Sequence, residues 1–122
     1  MKTITINGKD YNCMLKIKTC IQLEKKLGTN PLNVLQALDR GLIPDFEILG
    51  TIFHYCLIDM NHGLSMDDSL ELFSQYMQEN NDNENGGMAS VILLFSKVFQ
   101  DAGFISSTVN LDELEEDTEK NG

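Results

Sequence analysis

Apolar and polar residues alternate through the first seventeen positions. Residues 3–6 and 9–17 place apolar side chains at every second position on either side of Asn7-Gly8, a pair suited to the positive backbone dihedrals of a two-residue type I′ turn. The pattern predicts a β-hairpin in which Ile4 faces Tyr11. A period of two then puts Ile4, Ile6, Tyr11, Cys13, Leu15 and Ile17 on one face, which needs a helical layer to cover it.

Farther along, the period lengthens to that of a helix. Thr19 and Gln22 read as a capping box and Gly28 as the left-handed residue past the end, which predicts a first helix over 20–27. Asn30-Pro31 offers a cap and a first-turn proline for a second short helix with Leu32, Leu35 and Leu38 in one stripe, ending near Gly41. Pro44-Asp45 opens a third, in which Phe46, Leu49, Phe53, Cys56, Leu57 and Met60 line up and Ile48, Ile52 and Tyr55 widen the stripe, as in a central, largely buried helix. Gly63 follows, and Ser65 with Asp68 caps a fourth helix carrying Met66, Leu70, Phe73 and Met77, with Leu72 and Tyr76 beside them, to about Glu79. Residues 80–87 are Asn- and Gly-rich and read as a mobile surface loop that tolerates insertion. Met88, Val91, Ile92, Phe95, Val98, Phe99 and Ala102 make a fifth helix, stopped by Gly103, and Phe104 and Ile105 finish the core. The expectation is therefore an α+β, mainly α fold: an N-terminal β-hairpin packed on a bundle of about five helices over residues 1–105. Residues 106–122 follow as an acidic, flexible and disordered tail, in which Asn110 can cap a transient helix bearing Leu111 and Leu114.

A chain of 122 residues that is 42% hydrophobic can bury roughly two thirds of its unfolded surface as one domain without disulfides or metal. No apolar run approaches the roughly 18 residues needed to span a bilayer, and residues 1–6 alternate where a signal peptide needs a continuous apolar stretch. A soluble, cytoplasmic protein with no membrane partner is expected. Cys13, Cys20 and Cys56 lack a CxxC spacing and read as reduced core thiols. The net charge of −10 argues against nucleic acid as a partner, since phosphate backbones demand a basic footprint. The charge is also uneven: residues 1–40 carry +4 and residues 41–122 carry −14. Such polarity can favour head-to-tail self-association, though charge mostly governs solubility and encounter.

No enzyme, cofactor or metal is expected. His54 and Cys56 are two apart on a predicted helix and face different ways, and His62 adds no fourth zinc ligand. Asp67, Asp68 and Glu71 sit at a helix start, where carboxylates favour the positive dipole end. Neither a phosphate loop nor a nucleophile elbow is present. A hydrolase built around His54 requires a concave site that unites it with a nucleophile.

The run Ile4-Thr5-Ile6-Asn7-Gly8-Lys9-Asp10-Tyr11, then Leu15-Lys16-Ile17-Lys18 and Ile21-Gln22-Leu23-Glu24-Lys25-Lys26-Leu27-Gly28, resembles the tail assembly chaperones of long-tailed, siphovirus-type phages and prophages of Gram-positive bacteria. The likeness extends to about Phe104 in the order and length of helices, with the 80–87 loop longer than the family pattern. The resemblance implies a non-enzymatic protein of the host cytoplasm that binds the helical tape measure protein, keeps it soluble and helps recruit major tail tube subunits. It also implies absence from the mature virion, and a longer form made by ribosomal frameshifting. Glu119-Lys120-Asn121 can be encoded GAA-AAA-AAY, which contains a slippery heptamer. A holder of this kind needs an apolar groove with an acidic rim. Phe53, Leu72, Tyr76, Phe95 and Phe99 are the candidate groove residues, because the last three helices carry more apolar side chains than a narrow stripe requires. Met60, Met66, Met77 and Met88 can add adaptable surface. The alternative is an acidic nucleic-acid mimic that inhibits a DNA- or RNA-binding protein, which requires carboxylates at phosphate-like spacing along one face.

Overall fold

Asn7 and Gly8 both take positive φ, 52° and 79°, as a type I′ turn requires. They join β1 (Lys2–Ile6) to β2 (Lys9–Cys13) in an antiparallel pair with Ile4 opposite Tyr11. The computed structural model describes residues 1–82 and 86–106, and takes the chain from this hairpin into α1 (Ile17–Leu27), α2 (Pro31–Asp39), α3 (Phe46–Ile58), α4 (Met66–Glu79) and α5 (Gly87–Asp101). This is the α+β, mainly helical architecture expected from the sequence. The predicted tail beyond Ser106 lies outside the described residues, as do residues 83–85 of the predicted loop.

One face of the hairpin, Ile4, Ile6, Tyr11 and Cys13 with Leu15 following, is buried. Three contacts seat it on the helices. The Met14 N–H donates to the Cys56 carbonyl (3.0 Å). The Asn61 amide donates to the carbonyls of Asn12 (2.9 Å) and Leu57 (2.8 Å). At the other end the Asn7 N–H donates to both Glu79 carboxylate oxygens (2.8 and 3.1 Å).

β2 ends at Cys13 rather than at residue 17, because Lys2, the first residue of β1, is its last partner. Ile17 therefore leaves the hairpin face and opens α1, 62% exposed. The predicted Thr19–Gln22 cap is also corrected. Thr19 is buried within α1, and its hydroxyl donates to Asp59 Oδ1 (2.7 Å) while the Lys16 N–H donates to Asp59 Oδ2 (2.9 Å). A carboxylate at the end of α3 thus serves the start of α1, at the end of a helix dipole that favours negative charge.

The remaining punctuation is local. Gly28 (φ 74°) closes α1, Asn30 Oδ1 accepts from the Leu32 N–H with Pro31 in the first turn of α2, and Ser65 and Asp68 form a reciprocal capping box on α4. Gly87, assigned to the mobile loop from sequence, is instead buried in the first turn of α5. A methyl group built on it would collide with the Met77 carbonyl and lie 2.6 Å from the Met77 Cα, so the absence of a side chain lets the two backbones touch.

The core is centred on α3 and α5. α3 packs against α1, α4, α5 and β2, and α5 against α2, α3, α4 and β1. Phe53 stacks on Phe73 at 5.0 Å between centroids and meets Tyr76 at 6.0 Å. The Tyr76 hydroxyl donates to the Ser90 carbonyl across α4 and α5 (3.4 Å). Phe104 turns its edge to Phe99 at 5.9 Å, and Ile105 is half-buried beside it, which closes the core as expected.

Candidate partner-binding surface

The five residues proposed for a groove do not share one: Leu72 and Phe99 border separate clefts, and Phe53, Tyr76 and Phe95 border neither of these. Phe53, Phe95 and Phe99 are at most 1% exposed and Tyr76 is buried. Only Leu72 is half-buried, on a cleft of about 370 Å³ between the hairpin turn and α4 that also carries Ile6, Tyr11, Asp68 and Glu71. Wide apolar stripes belong here to helices with neighbours on several sides: α3 and α5 each pack against several other elements, which cover Phe53, Phe95 and Phe99 but leave Phe46, at the start of α3, exposed. The four aromatic rings fill the interior.

A cluster of unburied apolar side chains lies elsewhere, where the connection from α2 enters the first turn of α3. Gly41 takes φ 81° and reverses the chain after α2, with the Leu42 N–H donating to the Ala37 carbonyl (2.8 Å). Leu42, Ile43 and Phe46 are left 62–64% exposed. Pro44 confines Ile43 to extended backbone, so the corner presents its side chains from a restricted chain. Leu70 of α4, itself exposed, lies against Gly50, one turn beyond Phe46 on α3, and continues the apolar strip along the bundle. Asp39, Arg40, Asp45 and Glu47, neighbours of the corner in sequence, are exposed. Isolated exposed aliphatics such as Leu93 on α5 are ordinary, whereas clustered ones mark interaction sites. The sequence signal was present but subtle: Leu42 and Ile43 are adjacent apolar residues between Gly41 and Pro44, where no helical or strand period can bury them.

A second apolar feature runs beside α1. A cleft of about 410 Å³ is lined by Met1, Met14, Leu15, Lys16 and Val98, and one of about 230 Å³ by Cys20, Pro31, Leu32 and Phe99; Ile17 and Phe104 border both.

His54 Nδ1 lies 2.6 Å from the Ser69 hydroxyl, which unites a histidine with a potential nucleophile as the hydrolase reading required. Ser69 is 0% exposed, and neither residue lines any of these three clefts. Cys13, Cys20 and Cys56 are free and buried. Burial pushes the Cys13 thiol up to about 12 and Cys56 well above the usual thiol value, which keeps both protonated near neutral pH. Among the described residues no three His, Cys, Asp or Glu side chains are grouped to hold a metal ion, and no helix is long and apolar enough to cross a membrane. Of the acids at the start of α4, Asp68 acts on its own helix: the Ser65 backbone N–H, then its hydroxyl, hold the Asp68 carboxyl below the usual range.

No family model, curated protein or solved structure matches the chain.

Proposed function

We propose that this protein is a non-enzymatic tail assembly chaperone of a siphovirus-type phage or prophage. It holds amphipathic helices of the tape measure protein in solution, helps gather major tail tube subunits around them, and is left out of the finished particle. The observation that carries the reading is the α2–α3 corner, where Leu42, Ile43 and Phe46 are each more than 60% exposed and have exposed Asp39, Arg40, Asp45 and Glu47 as neighbours in sequence. An amphipathic helix supplies the apolar face such a corner lacks, and an acidic surround keeps the loaded complex from associating further. The hairpin and first helix, which carry the likeness to the family, form a buttress for this surface rather than the surface itself.

Co-expression with a siphovirus tape measure protein is the test. The wild-type chain is expected to move that protein into the soluble fraction, and a Leu42→Ser/Ile43→Ser/Phe46→Asp variant is expected to leave it in the pellet. Equal solubility with and without the wild-type chain overturns the chaperone reading. Full activity of the triple variant overturns the corner as its site.

A further inference from the structure

The hairpin is guarded along one edge and open along the other. With a two-residue turn, Ile6 and Lys9 form a hydrogen-bonded pair, and bonding alternates from there along the register. Ile4 therefore bonds to Tyr11 and Lys2 to Cys13. Thr3 and Thr5 point their N–H and C=O groups away from β2, as Asp10 and Asn12 point theirs away from β1. The outer side of β2 is taken up by the helices: the Asn61 amide donates to the Asn12 carbonyl (2.9 Å), and just past the strand the Met14 N–H donates to the Cys56 carbonyl (3.0 Å). On the outer side of β1, no group among the described residues bonds to the main chain of Thr3 or Thr5, and both residues are exposed. Proteins blunt open edges with charge, proline or a bulge. The run Thr3-Ile4-Thr5-Ile6 carries none of these, and its β-branched residues favour strand pairing.

We propose that β1 pairs with β1 of a second copy of this chain, antiparallel about a two-fold axis at Ile4, to make a continuous four-stranded sheet in the order β2-β1-β1-β2. Register and charge both select a second copy as the occupant. A two-fold axis at Ile4 sets Thr3 opposite Thr5 of the second copy and Thr5 opposite its Thr3, so each pair exchanges both N–H···O=C bonds and leaves no outward group over. Threonine then meets threonine on the solvent face, a favourable cross-strand pair with no like charges opposed. The same register brings Lys2 beside Ile6 of the second copy, next to the turn where the Glu79 carboxylate accepts from the Asn7 N–H (2.8 Å). Lys2 shares the face of Ile4 and Ile6, the side of the hairpin on which α4 packs. The symmetry makes this cation-to-carboxylate match twice, whereas a foreign strand has to bring its own. The inference rests on the hairpin alone and stands whether or not the α2–α3 corner binds a helix.

Sedimentation and amide hydrogen exchange of the full chain across a concentration series test it. Expected are a rise in mass from 13.7 kDa toward twice that value and a parallel slowing of exchange at Thr3 and Thr5, with Asp10 and Asn12 on the other edge unchanged. Thr5→Pro removes an outward N–H that the hairpin itself does not use, and is expected to abolish the rise in mass while leaving the circular dichroism of the wild type. Glu79→Gln keeps an acceptor for the Asn7 N–H but loses the charge, and is expected to weaken self-association severalfold. Constant mass with fast exchange at Thr3 and Thr5 at every concentration overturns the proposal. So does a folded Thr5→Pro variant that still doubles in mass, or protection of Thr3 and Thr5 that appears only when a tape measure segment is added, which gives the edge to a partner's strand.

Discussion

His54 shows how a single side chain can report on the fold without taking part in chemistry. Its Nδ1 meets the Ser69 hydroxyl at 2.6 Å and its ring stands edge-on to Tyr55 at 5.5 Å. Burial lowers its pKa below the ordinary 6.5. Between the lowered folded value and the unfolded value, the unfolded chain binds a proton that the folded chain does not. The contribution of His54 is therefore intact above about pH 6.5 and is lost as pH falls through the folded value. The urea midpoint is expected to drop between about pH 7.5 and 5.5, and to drop less in His54→Gln, whose amide can still bond Ser69. Equal drops in the two proteins rule out His54 as the source. The cysteines make a parallel case. With Cys13 held near 12 by burial, Cys20 raised by burial and then by the Glu24 charge, and Cys56 raised by its burial, thiolate is scarce at neutral pH and access requires opening of the core. An aromatic disulfide reagent is expected to titrate three thiols in guanidinium and react only slowly with the native protein. Prompt reaction of even one native thiol would show that its site is open to solvent.

At the scale of elements, two helical glycines make opposite predictions from the same substitution. A methyl on Gly50 meets the tip of Leu70, a flexible side chain at the surface, so Leu70 can turn aside. Gly50→Ala is then expected to be neutral or to gain up to about 1 kcal/mol from helix propensity. On Gly87 the obstacle is the Met77 backbone, which cannot turn aside without moving α4 from α5, so Gly87→Ala is expected to cost about 1–3 kcal/mol. Chemical denaturation of both variants checks the pair, and equal effects would contradict the packing described here. The same contrast explains what the sequence made legible. The Asn7-Gly8 turn, the Asn30-Pro31 start and the Ser65–Asp68 box were readable because every partner lies within a few residues. The Asp59 carboxylate at the start of α1 and the contact of Gly87 with Met77 were not, because each depends on a partner brought close only by tertiary packing. Thr19 and Gln22 have the right residue types for a cap, but Asp59 is a stronger acceptor and the hairpin seats α3 where it can reach.

For the whole molecule, the question is which apolar side chains hold the protein together and which are left for something else. Width of a stripe did not separate them: Phe53, Phe95 and Phe99 are enclosed because α3 and α5 each have several neighbours. Lack of a covering element is what leaves a cluster of them exposed: Leu42 and Ile43 lie in the connection from α2 and Phe46 in the first turn of α3. This makes stability and binding separable by mutation. Truncating Phe95 to Ala leaves a cavity in the core and is expected to cost about 3–5 kcal/mol, a large part of the roughly 5–15 kcal/mol a native domain has available. Replacing Leu42 and Ile43 with Ser removes side chains that already face water, and each change is expected to move stability by no more than about 0.5 kcal/mol. Circular dichroism and urea denaturation should therefore find the corner variant folded with a nearly unchanged midpoint, and the Phe95→Ala variant shifted strongly. If the corner variant unfolds as readily as Phe95→Ala, Leu42 and Ile43 are core residues and the surface is not free for a partner. If it folds normally and still keeps the helical protein soluble, the acidic surround or another face carries the binding.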